Sequence, residues 1–173
     1  MIIKTAKTSI PGETIRQMFI DLLRDGHCIR SPARAESMSP FIRQGDFLTV
    51  KPITFAEAQI GDIVAYRRDE TESVLTTHRV IQKGRDGEGS YLITKGDRSR
   101  FRDFPIKCPT DVYGKIVSRE RHGLLISLET HFQRVLGYLI ALLSLGVWHL
   151  RNAMTAPHLV PVKVVRRILR LTR

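Results

Sequence analysis

AESMSPFIRQGDFLTV, residues 35–50, decides how this chain is to be read. Ser37 precedes Met38, and Pro40 follows. Proline locks φ and disfavours helix at the residue before it, so Ser37 sits on a stiff, non-helical corner. Gly45-Asp46 is a turn signal, and the alternating run Phe47–Lys51 leaves that turn as a strand. Ser37 is therefore expected on a bend at the mouth of a β structure, where its hydroxyl faces a substrate. Taken alone, such a corner is an ordinary surface turn, and its chemistry depends on what stands further along.

Outward from this stretch, β signals run from Cys28 to Leu128. A second Gly-Asp turn at Gly61-Asp62 opens IVAYRR (63–68), and a charged hairpin tip, Asp69–Ser73, leads to VLTTHRVIQK (74–83). A turn cluster at 84–90 precedes YLITKGD (91–97), an arginine-rich loop runs to Pro109, and YGKIVSRE (113–120) and LLISLE (124–129) close the series. Short strands at this spacing predict a small barrel or folded sheet. Before it, Pro11 to Asp25 reads as an amphipathic helix with Ile15, Met18, Phe19, Leu22 and Leu23 on one face and Gly26 as its stop. The fold class is thus mainly β: a small antiparallel domain with an N-terminal amphipathic helix and C-terminal helices. The expected division is a helical segment over 1–27, a β domain carrying the site over 28–129, and a hydrophobic helix with a basic tail over 130–173.

At 173 residues the chain can bury a core without staples. Its net charge of +11 is concentrated at one end: after Glu129, the last acid, come Arg134, Arg151, Lys163, Arg166, Arg167, Arg170 and Arg173. Residues 135–150, VLGYLIALLSLGVWHL, hold no charged side chain. Sixteen helical residues reach roughly 24 Å, short of a ~30 Å hydrocarbon core, so a helix in the interface or docked on the domain competes with a span. In the tail, Val164, Val165, Ile168, Leu169 and Leu171 alternate with arginines as in a basic amphipathic helix. Residues 135–173 therefore suit an anionic membrane surface, with nucleic acid the less favoured partner for want of interleaved aromatics. Cys28 and Cys108 define neither a disulfide framework nor a zinc spacing and are expected as ordinary buried or half-buried thiols. The N-terminus reads as no secretory signal. No metal-ligand set and no phosphate-cradling loop is read, so no metal or cofactor is expected.

Serine hydrolysis needs a nucleophile, a base and a group that orients the base. Of six histidines, five fall on loops, ends or the apolar helix, while His78 lies inside a strand-like run and is followed by two acids, Asp97 and Asp103. The blocks SMSPFIRQGD, GDIVAYRR, THRVI, TKGD…RD and YGKIV, in this order over roughly residues 30–118, resemble the type I signal peptidases. The similarity is to their histidine-using branch, typical of archaea and the endoplasmic reticulum. The Ser-Met turn is shared with the wider superfamily that includes self-cleaving LexA-type repressors.

The resemblance implies a mostly antiparallel β domain and a membrane-associated serine endopeptidase that cleaves leader or signal peptides of precursor proteins. It implies Ser37 as nucleophile, His78 as general base and Asp103 as the acid that orients it, with Asp97 of the KGD block supporting the same site. Met38 and Pro40, beside the serine, are expected to bind the substrate. The family commonly writes Ser-Gly-Ser-Met, where this chain has Ala35-Glu36-Ser37-Met38. That departure leaves open a non-catalytic relative that binds peptide, and the superfamily leaves open a LexA-like self-cleaving regulator. The hydrophobic segment is read at the C-terminal end rather than as an N-terminal anchor. The site is accordingly expected at a membrane, the cytoplasmic face included.

Overall fold

The computed structural model describes residues 12–68 and 75–155, with side chains up to Leu150. Pro11, the hairpin tip Asp69–Ser73 with Val74, and the basic tail from 156 onward lie outside the described residues.

Helix α1 spans Gly12–Arg24 and ends where Gly26 takes φ +86°, with the His27 N–H donating to the Leu22 carbonyl at 2.9 Å. This is the left-handed stop that glycine permits. The buried face is rotated from the expected one. Arg16, Ile20 and Leu23 point inward, while Met18 and Leu22 are exposed. The apolar stripe of α1 is wider than the surface it covers, and an arginine occupies part of the seam.

Seven strands form one antiparallel sheet: β1 (Ile29–Pro32), β2 (Phe47–Pro52), β3 (Ile63–Tyr66), β4 (Thr76–Asp86), β5 (Gly89–Lys95), β6 (Val112–Arg121) and β7 (Leu124–Ser127). Their order is β1-β2-β6-β3-β4-β5, with β7 paired to β6. The mainly β expectation holds. The turn cluster expected at 84–90 is tighter than read, because β4 continues to Asp86 and β5 resumes at Gly89. β1 is a strand that the sequence pattern did not single out. It is four residues long, lies at the sheet edge and ends in proline, as edge strands can.

β3 is buried on both faces, and Ile63, Val64, Ala65 and Tyr66 are all core. On one side Val64, Tyr66, Val80, Leu92 and Val112 pack together. On the other, Ile63 and Ile116 meet Met38, Ile42 and Leu48. Cys28 and Cys108 are both exposed, correcting the expectation of buried thiols. Each lies in a connecting segment rather than an element, and loops run over the surface.

Helix α2 spans His131–Thr155, and its twenty-residue stretch His131–Leu150 is long and apolar enough to cross a membrane, with 11% of its apolar window buried. At 1.5 Å per residue that stretch covers about 30 Å, so the sixteen-residue expectation was too short. The helix docks by a narrow stripe. Gly137 lies against the Gly61 turn, and Ala141 is fully buried beside Ile81 and Ile93. A Cβ at Gly61, where φ is +96°, would sit 2.7 Å from the Tyr138 nitrogen. Gly61→Ala is therefore expected to destabilise the fold by more than about 1 kcal/mol and to speed amide exchange through residues 137–145. Unchanged exchange there would refute the docking role of this turn.

Candidate active site

Ser37 stands in a turn that the core holds in place. Met38 and Ile42 are both buried, and the Ile42 N–H donates to the Met38 carbonyl at 2.9 Å, so one turn of chain is nailed down immediately after the serine. The Ser39–Pro40 peptide is cis. Behind the turn, Gly45 adopts φ +88° and Asp46 is buried. The Asp46 carboxylate accepts from Arg121 Nε and Nη2 at 2.7 Å each and from the Arg43 N–H at 2.8 Å. Hydrogen bonding from Arg121 holds the Asp46 carboxyl below the usual aspartate range. The Gly-Asp signal thus does more than turn the chain, because it ties the serine loop to β6. On the opposite side the Arg98 N–H donates to the Ser37 carbonyl at 2.8 Å. A Cβ at Gly96 would lie 2.7 Å from that carbonyl and 3.1 Å from His78 Nε2, so the KGD block approaches the site through a residue without a side chain.

His78 is on β4, buried, opposite Val64 of β3. Its Nε2 lies 3.0 Å from Ser37 Oγ and its Nδ1 lies 2.6 Å from Asp103 Oδ2. Ser37 and His78, forty-one positions apart, are therefore within hydrogen-bond reach, as is the acid on the far side of the ring. With the Nδ1 proton on the Asp103 side, Nε2 is left as the acceptor of the Ser37 hydroxyl proton.

Asp103 is itself fixed. Its N–H donates to the Thr94 carbonyl at 2.8 Å, and Thr94 Oγ1 donates to Oδ2 at 2.8 Å. Thr94 Oγ1 also lies 3.0 Å from the Tyr66 hydroxyl. Threonine has one proton to give, so with it on the carboxylate the tyrosine donates to the threonine. Burial pushes the Tyr66 hydroxyl up, and the Asp103 charge adds to this, so Tyr66 stays a donor. For Asp103, burial favours the neutral form. The hydrogen bond from His78, the His78 charge and the hydrogen bond from Thr94 outweigh it and hold the carboxyl below the ordinary range.

A lowered carboxyl contributes stability above its unfolded value and loses that contribution as pH falls through its native one. Asp103→Asn is expected to flatten the acid limb of a Tm-against-pH curve. An unchanged limb would refute this coupling. Thr94 and Tyr66 were assigned no role from the sequence, although both lie inside the quoted blocks TKGD and GDIVAYRR.

Asp97 does not share this arrangement. Its two oxygens accept from Arg79 Nε at 2.8 Å and Nη2 at 2.7 Å, with Arg79 and Asp97 side chains 2% and 7% exposed. Arg79 Nη1 also donates to the Gly61 carbonyl, and its guanidinium lies 4.8 Å from the Phe41 ring centre. The cause is strand alternation. His78 and Arg79 are neighbours on β4, so their side chains leave opposite faces, and the two acids follow them to opposite sides. Asp97 thus forms a buried ion pair with Arg79 under α2 and has no direct contact with His78 among the described residues.

A cleft of about 680 Å³ opens above Ser37 and His78. Its walls include Met38, Leu48 and Val50 from the serine loop and β2, and Phe19 and Leu23 from α1. Met38 therefore lines the cleft from within the core. Pro40 is exposed and lies outside the lining of that cleft. Glu36, which stands where the family has glycine, pairs with Arg98 at 2.5 Å, both side chains mostly exposed. Its charge is thus turned out of the catalytic contacts. Among the described residues nothing accepts a hydrogen bond from the Ser37 N–H, which leaves that donor for a ligand.

No family model matches the chain, and no solved structure matches it. Curated relatives do. The chain is 32% identical over 114 residues to the signal peptidase complex catalytic subunit SEC11 of Metarhizium acridum and 31% identical over 114 residues to that of Metarhizium robertsii. It is 27% identical over 113 residues to the protein of the same name from Fusarium vanettenii. Each alignment covers 65% of this chain and 62% of the relative, so the chain spans less than two thirds of the length of the proteins it matches. The ordered sequence blocks and these relatives point the same way: over its matched part the chain is similar to signal peptidase complex catalytic subunits.

Proposed function

We propose that this protein is a membrane-associated serine endopeptidase that cleaves leader or signal peptides from precursor proteins. The observation that carries the reading is the unbroken line of contacts from Ser37 Oγ to His78 Nε2 at 3.0 Å and from His78 Nδ1 to Asp103 at 2.6 Å. In the proposed reaction His78 takes the Ser37 proton as Ser37 Oγ attacks a peptide carbonyl. Asp103 keeps the ring in the acceptor tautomer and stabilises the imidazolium that forms. The Ser37 N–H donates to the developing oxyanion. His78 then protonates the leaving amine, and water releases the acyl group by the reverse sequence. The substrate lies extended in the cleft, its backbone beside the β1 edge, with small side chains at the cut.

The membrane part of the proposal is supported by α2. It buries Gly137 and Ala141 against the sheet and exposes Leu139, Leu142, Leu143, Val147 and Leu150. An apolar face opposite a docked one suits a helix held at the acyl boundary. The experiment is incubation of detergent-solubilised full chain with peptides carrying small residues before the cut. Cleavage that ends with Ser37→Ala supports the reading. Intact peptide under every condition that keeps the protein folded overturns it.

A further inference from the structure

Between β5 and β6, residues 98–105 read RSRFRDFP, with three arginines, two phenylalanines and one acid. Phe101 is 73% and Phe104 89% exposed, more than any other large apolar side chain among the described residues. The backbone around them is tied at both ends. The Arg98 N–H donates to the Ser37 carbonyl at 2.8 Å and the Asp103 N–H to the Thr94 carbonyl at 2.8 Å. Ile106 and Leu92 exchange backbone bonds at 2.8 and 3.0 Å along β5, the end strand of the sheet. Single exposed apolar residues are ordinary, but two held out from one pinned loop make a patch.

That patch is continuous with α2. The Arg102 guanidinium lies 3.8 Å from the Trp148 ring centre, so the loop meets the helix where Val147 and Leu150 remain exposed. Charge indicates the occupant. Arg98 pairs with Glu36. Arg100 and Arg102 meet the rings of Phe101 and Trp148 instead, and no salt bridge among the described residues reaches either. The loop's acid, Asp103, is taken by His78. Apolar rings beside arginines whose charge awaits a counter-ion match the boundary between acyl chains and anionic headgroups.

We propose that residues 98–105 form a second membrane contact, which seats Phe101 and Phe104 in the headgroup region of an anionic phospholipid bilayer beside α2. The proposal rests on the membrane reading of α2 and needs nothing from the peptide chemistry. Asp103 lies between the two phenylalanines, so a bilayer held here lies beside the proposed catalytic contacts.

The test places an environment-sensitive fluorophore at one cysteine at a time in the full chain, with Cys28→Ser and Cys108→Ser, both exposed, removing the native thiols. The sites are Phe104→Cys in the loop, with Phe101→Cys as its second position, Leu143→Cys on the exposed face of α2, and Ala56→Cys. Ala56 is exposed on the segment whose Phe55 and Ala58 pack with Val80, whereas α2 packs on Ile81, so it reports the opposite face of the sheet. The protein is reconstituted into vesicles of equal parts phosphatidylglycerol and phosphatidylcholine, with and without a spin-labelled lipid. At the loop and α2 sites, emission is expected to shift to shorter wavelength and to be quenched by the spin label, while the Ala56 site stays aqueous. Arg100→Gln with Arg102→Gln, or vesicles of phosphatidylcholine alone, should lose most of the quenching in the loop and keep it at Leu143→Cys.

Loop probes that stay aqueous while the α2 probe is quenched, as they would if a protein covers this loop, overturn the proposal and leave α2 at the membrane. Loop probes quenched without the α2 probe support the proposal and remove the reading of α2. Quenching at neither place removes both. Equal quenching at all sites, or in the loop with and without anionic lipid, overturns the proposal.

Discussion

Ser37→Ala and His78→Ala are each expected to lower the rate of peptide cleavage by about 10⁴-fold or more, and the double variant to cost little beyond either single one. Nucleophile and base act as one unit. Once Oγ is gone, His78 has no proton to accept, and once the imidazole is gone, Ser37 is an ordinary hydroxyl facing an apolar cleft. Single-turnover kinetics on the detergent-solubilised chain measure this without interference from product release. Ser37→Ala should lower Tm little, because Ser37 is only half-buried and its loop is held by Met38, Ile42 and Asp46 rather than by its own hydroxyl. His78→Ala removes a buried ring and leaves Asp103 without its partner, so it is expected to lower Tm as well, and its rate is read on the folded fraction. Full activity in either variant would remove the catalytic assignment. Additive losses in the double variant would show that the two residues act separately.

The second large effect distinguishes the two acids. Asp103→Asn is expected to reduce kcat by about 10³–10⁴-fold with a modest change in Tm, because an amide facing His78 Nδ1 favours the wrong tautomer. Asp97→Asn is expected to do the opposite. It leaves Arg79, 2% exposed, without its counter-charge, at a cost of about 3–5 kcal/mol, with activity falling only as the folded fraction falls. The Arg79→Met, Asp97→Leu double variant should recover much of that stability, since removing both charges leaves neither one stranded. Parallel thermal melts and kinetics read both quantities. Asp97→Asn protein that melts normally but does not turn over would reverse the assignments.

The structural difference between these acids was not readable in one dimension. Asp97 stands in a motif block and Asp103 six positions later, and a linear reading could place both beside His78. Strand alternation on β4 decides otherwise, because adjacent side chains leave opposite faces and each takes its own acid. The hydroxyl relay through Thr94 and Tyr66 was hidden for a related reason. Its members come from β3, β5 and the following loop, and only the register Val64↔His78 and Val80↔Thr94 brings them to one side. Helix α1 shows the same limit. Its apolar spacing announced a helix, but whether Arg16 or Met18 turns inward depends on the surface it meets.

What the sequence determined by itself is local or ordered. The proline-stiffened serine corner, the glycine stops, the alternating strands and the order of the motif blocks are written in neighbouring residues, where φ preferences and side-chain period act over a few positions. What only the tertiary structure decided is which distant groups meet. Examples are Ser37 with His78, Asp97 with Arg79, and α2 with the Gly61 turn. Those meetings are set by sheet register and by which surface each helix covers, and both depend on the whole chain closing at once.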